Sequence, residues 1–177
     1  AAICARVYSY IDSILLSKLA GDAAVGWYSL SYKMAYAFQF ITAALIAAMY
    51  PRFSETFARD RARLVYLFQM SCKYLLLVAV PISICIGVLS KDIIIFLYKH
   101  EYLNSILPLQ ILMASLVFSF LSFPMGALLN AGNQQGTQTM IVAFVMVVNI
   151  ALNLLLIPAY GAVGAALAGL LGNVLLV

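Results

Sequence analysis

From Tyr102 to Val177 the chain contains no Asp, Glu, Lys or Arg. A water-facing surface cannot be built over such a length without charge, which excludes an ordinary soluble domain. Charge is scarce overall: 9% of residues are charged, against about 25% in soluble domains. There is one histidine, His100, with no second His or Cys near it, so a surface role suits it better than a metal site. Cys4, Cys72 and Cys85 are odd in number, widely spaced and set in apolar sequence, and are expected to be packing residues. The chain also lacks a P-loop, a Gly-rich dinucleotide fingerprint and a nucleophile elbow. Nothing in it resembles an enzyme site, and no cofactor is expected.

What is abundant is apolar sequence, 66% of the chain, with a mean hydropathy of +1.05. About 20 apolar helical residues cross a bilayer core, so the charge-free run divides into roughly three spans at the turn signals Ala131 to Gly136 and Ile157 to Gly161. The whole chain is expected to be an all-α, polytopic transmembrane helical bundle. It has about six spans, near residues 3–20, 27–50, 71–89, 108–130, 137–157 and 162–177. Gly21 to Gly26 is expected to form the turn of an antiparallel hairpin between the first two spans, with Trp27, Tyr28 and Tyr32 in an interfacial aromatic belt and Pro51 closing the second span.

Residues 52–70 are polar enough to leave the membrane. At about 100° per residue Arg52, Arg59 and Arg63 share one stripe, and Phe53, Phe57, Leu64 and Phe68 another about 130° away. The pattern predicts a short amphipathic helix on the cytoplasmic surface, with Arg61 out of place near the apolar stripe. This dense basic cluster sets the orientation: the segment after Pro51 inside, the loop of residues 90–107 outside. It also accounts for the net charge of +4 without nucleic acid as a partner. Pro81 and Pro124 fall inside the third and fourth spans, where they are expected to kink the helices.

Polar groups inside spans are costly and therefore candidates for function. Asp12 and Lys33 lie about ten residues either side of the hairpin turn, hence at similar depth, where an ion pair could form between them. Arg6 is about 120° around the helix from Asp12. It is an interfacial anchor if the helix begins near Ala1, or a phosphate-binding guanidinium if it lies deep in a wet cavity. Asn149 and Asn153, four residues apart, present one polar edge suited to interhelical hydrogen bonds. The rows Gly161, Ala165, Gly169 and Gly164, Ala168, Gly172 allow close helix approach and argue packing.

Four pieces resemble the polysaccharide flippase branch of the multidrug/oligosaccharidyl-lipid/polysaccharide exporter superfamily. They are Tyr10-Ile11-Asp12-Ser13-Ile14-Leu15-Leu16 leading to Val25-Gly26-Trp27-Tyr28-Ser29-Leu30-Ser31-Tyr32-Lys33; Tyr50-Pro51-Arg52-Phe53-Ser54; Leu128-Leu129-Asn130-Ala131-Gly132; and the stretch Asn149 to Ala166. The resemblance implies a two-lobed transporter of which residues 1–177 would be most of the C-terminal lobe, an expectation in keeping with the absent initiator Met and the apolar run that ends at Val177. It implies a multi-pass protein of the cytoplasmic membrane that flips a polyprenyl-pyrophosphate-linked oligosaccharide by alternating access, coupled to H+, Na+ or membrane potential. Its partners would be that lipid-linked substrate, membrane lipids and the missing N-terminal lobe. In that frame Arg6 lies deeper, Arg6 and Lys33 bind the anion, Asp12 sets local charge or answers a coupling ion, and Asn149 and Asn153 complete the substrate-binding candidates. A multidrug or organic-cation antiporter would instead be favoured by a net acidic cavity with Asp12 unpaired, a lipid II flippase is a closer rival, and a non-transporting assembly protein would show no cavity.

Overall fold

The computed structural model describes the backbone of residues 2–177 and the side chains of residues 11–57 and 59–177; Cys4 and Arg6 lie outside the described side chains. The described residues form seven α-helices, α1 Ala2–Ala20, α2 Asp22–Tyr36, α3 Gln39–Arg59, α4 Arg61–Tyr98, α5 Ile106–Ala131, α6 Gln135–Tyr160 and α7 Ala162–Leu175, with a 3₁₀ segment Lys99–Ser105 before α5. Strands are absent among the described residues. Internal hydrogen bonding of this kind satisfies every mid-helix amide without water, as a bilayer demands.

The corners are tighter than the sequence suggests. The hairpin turn is one residue, Gly21, whose φ of 83° reverses the chain directly between α1 and α2. A side chain there would be strained, which is why glycine occupies it. The second span is not one straight helix: it breaks between Tyr36 and Gln39, where Ala37 and Phe38 keep right-handed helical angles, so the chain kinks without reversing. Pro51 does not close it either, and α3 continues to Arg59.

The expected surface helix over residues 52–70 is not a separate element. Asp60, in extended conformation, makes a corner inside it and caps α4 by accepting a hydrogen bond from the Arg63 backbone N–H at 2.9 Å. That carboxylate satisfies one of the orphan donors at a helix start, and so ends the amphipathic pattern part-way through. α4 then runs unbroken for 38 residues, through Pro81 and through the expected loop at Ser90 to Asp92. At about 1.5 Å per residue it is roughly 57 Å long, nearly twice a bilayer core. Between the exposed Lys73 and Lys91 the helix carries no charged residue, a separation of about 27 Å that matches the core thickness.

α5 is the hub, packed against α2, α3, α4, α6 and α7. Its buried Leu109, Leu112, Met113, Leu116 and Phe120 form the centre of the main core. α7 lays its small residues against α5 and α6 as expected; an added Cβ on Gly164 would overlap the Leu156 carbonyl, so the two backbones touch. Large apolar side chains face outward: Leu77, Ile84, Val88 and Phe96 on α4, Met140, Phe144 and Leu155 on α6. Cys85 belongs to this outer face and Cys72 is half-buried, both as free thiols, so Cys85 packs no core. Helices this apolar, exposing aliphatic and aromatic surface along their length, make this a multi-pass membrane bundle.

With the chain reversing at each corner, Gly21, the 3₁₀ segment and Gly161 lie at one end, and Asp60 and the 132–134 turn at the other. Arg52, Arg59, Arg61 and Arg63 are exposed at the second, basic end.

Candidate functional site

Asp12 sits nine residues before the Gly21 corner, about 13 Å into the bundle from the non-basic end. Asp12 is 7% exposed. Tyr28 donates its hydroxyl to Oδ2 at 3.0 Å, and Asn153 donates from Nδ2 to Oδ1 at 2.7 Å. Three helices, α1, α2 and α6, are thereby tied at one carboxylate. Lys33 is not among the partners, and the expected ion pair is absent. The reason is rotation, not depth: Tyr28, Tyr32 and Tyr36 form the inward stripe of α2, and Lys33 lies about 100° from its midline and is exposed. Tyr28, placed in an interfacial belt from sequence, is a fully buried partner of Asp12.

Asn149 and Asn153 are brought together as their spacing suggests, on the buried stripe of α6 that also carries Val145 and Ile157. Asn153 Nδ2 reaches Asn149 Oδ1 at 2.9 Å and the Asn149 carbonyl at 3.0 Å as well as Asp12. The acceptor at Asp12 fixes which end of the Asn153 amide is nitrogen, and that in turn fixes Asn149. Among the described residues Asn153 Oδ1 and Asn149 Nδ2 are left without a hydrogen-bond partner, although both residues are fully buried. Unpaired amide groups in an apolar interior are costly.

A cavity of about 490 Å³ opens in front of Asp12. Asn149 and Asn153 stand behind the carboxylate, not on this wall. The wall carries Tyr28, Tyr32 and Tyr36, whose rings follow one another at centroid distances of 5.9 and 4.4 Å. Opposite them are amides and hydroxyls from four other helices: Gln39 of α3, Ser119 and Asn130 of α5, Gln138 of α6 and Asn173 of α7. Asn173 donates to Tyr36 Oη at 2.8 Å and to Ser115 Oγ at 2.7 Å, and Gln39 to Ser119 Oγ at 3.3 Å, so the wall is held in place by its own bonds. Asp12 is the charged residue among the described residues that line the cavity, and no described Lys or Arg joins it there. From Asp12 the cavity runs towards the basic end, where Tyr50, Asn130 and Gln138 line it. The tyrosine stripe was visible as an i, i+4, i+8 repeat in the sequence; Gln39, Ser119 and Asn173 carry no local signal and are assembled only by tertiary packing.

Residues 1–107, which include Asp12, the tyrosines and Lys33, match a family described as polysaccharide biosynthesis protein. The chain belongs to that family. Among its relatives is a probable low-salt glycan biosynthesis flippase, Agl15, of Haloferax volcanii, 24% identical over 162 residues that cover 91% of this chain and 34% of that protein. An uncharacterized membrane protein of Methanocaldococcus jannaschii is 25% identical over 168 residues, covering 94% of this chain and 33% of that one. The chain thus spans about a third of the length of these two relatives. No solved structure matches it.

Proposed function

We propose that this chain forms part of a flippase of the cytoplasmic membrane that carries a polyprenyl-pyrophosphate-linked oligosaccharide across by alternating access. The observation that carries the reading is the composition of the cavity wall. Tyrosine rings facing neutral amides and hydroxyls are the groups that hold a sugar, since ring faces stack on its C–H surfaces and amides exchange hydrogen bonds with its hydroxyls. Family membership and the flippase among its relatives support the same substrate class.

In this reading Lys33 meets the pyrophosphate. It lies 11 residues into α2, about 17 Å from that helix's start. An ammonium exposed at such a depth in an apolar bundle is costly unless it faces water or an anion. Arg6 would share the phosphate, and the lipid tail would stay in the bilayer. Asp12, with Asn153 and Asn149 behind it, is an oxygen-rich set that suits a proton or a sodium ion as the coupling species. Loading or unloading such a site would alter a point at which α1, α2 and α6 are tied, and so couple ion to helix position.

One observation favours a second reading. A cavity whose charged lining residue is an acid, without a cationic partner among the described residues, suits an organic cation, as in a drug antiporter. The two readings separate in a binding experiment on the full-length protein in nanodiscs, using a polyprenyl-pyrophosphate oligosaccharide, the same carrier without sugar, and tetraphenylphosphonium. Lys33→Ala should weaken both carriers several-fold, while Gln39→Ala should weaken only the glycosylated one. Tetraphenylphosphonium binding that is lost in Asp12→Asn, with neither carrier bound, would decide for the antiporter.

A further inference from the structure

At the basic end a second cavity, of about 360 Å³, is set into the corner where α3 meets α4 and α5 meets α6. Its wall is apolar: Phe57, Leu64, Val65, Phe68 and Leu128. Two polar residues stand at it, Arg61 and Gln134. The groove rests on a small satellite core of Met49, Phe53, Leu64, Leu67 and Ala127. Phe57 lies on Gly132 so closely that an added Cβ would overlap its ring.

The charge around the groove is unbalanced. Arg52, Arg59, Arg61 and Arg63 are exposed here, against Glu55 and Asp60. Both carboxylates are already engaged: Glu55 lies 4.0 Å from Arg59, and Asp60 caps α4. Arg61 has no ion-pair partner among the described residues. The neighbouring α5 and α6 cannot supply one, because the sequence beyond Glu101 contains no acid at all. An anion for Arg61 must therefore come from outside the bundle.

Arg61 also explains its own misfit in the amphipathic pattern. It lies next to the apolar stripe because it stands over an apolar groove. A free anion in water gains nothing from a wall of phenyl, leucyl and valyl groups, whereas a membrane lipid offers phosphate and acyl chain together at this depth. We infer that the corner between α3 and α4 is a docking site for an anionic phospholipid of the cytoplasmic leaflet, with its phosphate on Arg61 and an acyl chain along Phe57, Val65 and Phe68. The site is separate from the Asp12 cavity and stands whether or not the chain flips a glycan.

The test uses the full-length protein reconstituted in nanodiscs of equal phosphatidylglycerol and phosphatidylcholine, then extracted, with retained lipid quantified by mass spectrometry. Wild type should retain phosphatidylglycerol over phosphatidylcholine. Arg61→Gln should lower that retention about fivefold, the loss expected of one arginine at an anionic surface. Val65→Trp, which fills the groove and leaves every charge, should do the same. Arg59→Gln, outside the groove, should have a clearly smaller effect. The inference is overturned by equal retention of the two lipids, by an unchanged Arg61→Gln variant, by an equal loss in Arg59→Gln, or by retention of polyprenyl phosphate in place of phosphatidylglycerol. Arg61 is exposed and its replacement leaves the core intact, so a negative result cannot be ascribed to unfolding.

Discussion

Replacing Tyr28 by Phe removes one hydroxyl from a fully buried position and leaves the ring in place. In soluble proteins a hydrogen bond to a charged group contributes about 1.5–3 kcal/mol. Between membrane helices the measured average is about 0.6 kcal/mol with a maximum near 1.7, because the unfolded chain in lipid also finds partners. The Asp12 carboxylate retains Asn153 when Tyr28 is lost, so it is not stranded. Burial on both sides of the bond nevertheless places the cost in the upper part of the membrane range, about 1–1.7 kcal/mol. Reversible unfolding of the full-length protein in mixed micelles against increasing dodecyl sulfate would measure it. The decisive comparison is the same substitution in an Asp12→Leu background. There the hydroxyl has lost its acceptor, and Tyr28→Phe should be neutral or stabilising, because an orphaned buried donor costs more than none. An equal loss in both backgrounds would refute the claim that the Tyr28–Asp12 bond ties α1 to α2.

Other consequences follow from the backbone geometry. Gly164→Ala forces a methyl against the Leu156 carbonyl and should destabilise the α6–α7 pair by about 1–3 kcal/mol, while Gly26→Ala, with open space around it, should be neutral or gain up to about 1 kcal/mol; unfolding in micelles compares the two. Gly132→Ala meets only the Phe57 ring, which can rotate, and should cost less than Gly164→Ala in the same assay. Asp60→Ala removes the cap of α4 and should cost about 1 kcal/mol, read as faster hydrogen exchange at Arg63 and Leu64 with little change near Leu75.

The sequence made some of this legible and hid the rest for identifiable reasons. The charge-free run had no competing pattern, so α5, α6 and α7 start and end within three residues of where hydropathy and turn signals put them. Asn149 and Asn153 were legible as a pair because four-residue spacing on a helix is a local fact. Asp12 stood out by cost alone, but its partners did not, since depth was matched along the axes of two helices without their rotation. The correct partner, Tyr28, lay in a stripe that also looks like an interfacial belt. The corners at Gly21 and Asp60 were blurred because polar residues on both sides continue as helix: a six-residue turn from Gly21 to Gly26 and one surface helix over residues 52–70 were expected where a single corner residue suffices. The kink at Ala37 and Phe38 carries no proline or glycine to announce it.

The central claim is that the Asp12 cavity and Lys33 belong to a path for a lipid-linked glycan. The direct measurement is flipping of a fluorescent polyprenyl-pyrophosphate oligosaccharide by the full-length protein in proteoliposomes, with wild type, Asp12→Asn and Lys33→Ala compared at equal insertion and fold. Inward-to-outward transfer by wild type that falls at least about tenfold in both variants is the predicted result, equivalent to about 1.4 kcal/mol added to the rate-limiting barrier. Wild-type flipping that both variants reproduce unchanged would contradict it, and so would the absence of flipping by wild type across several sugar carriers.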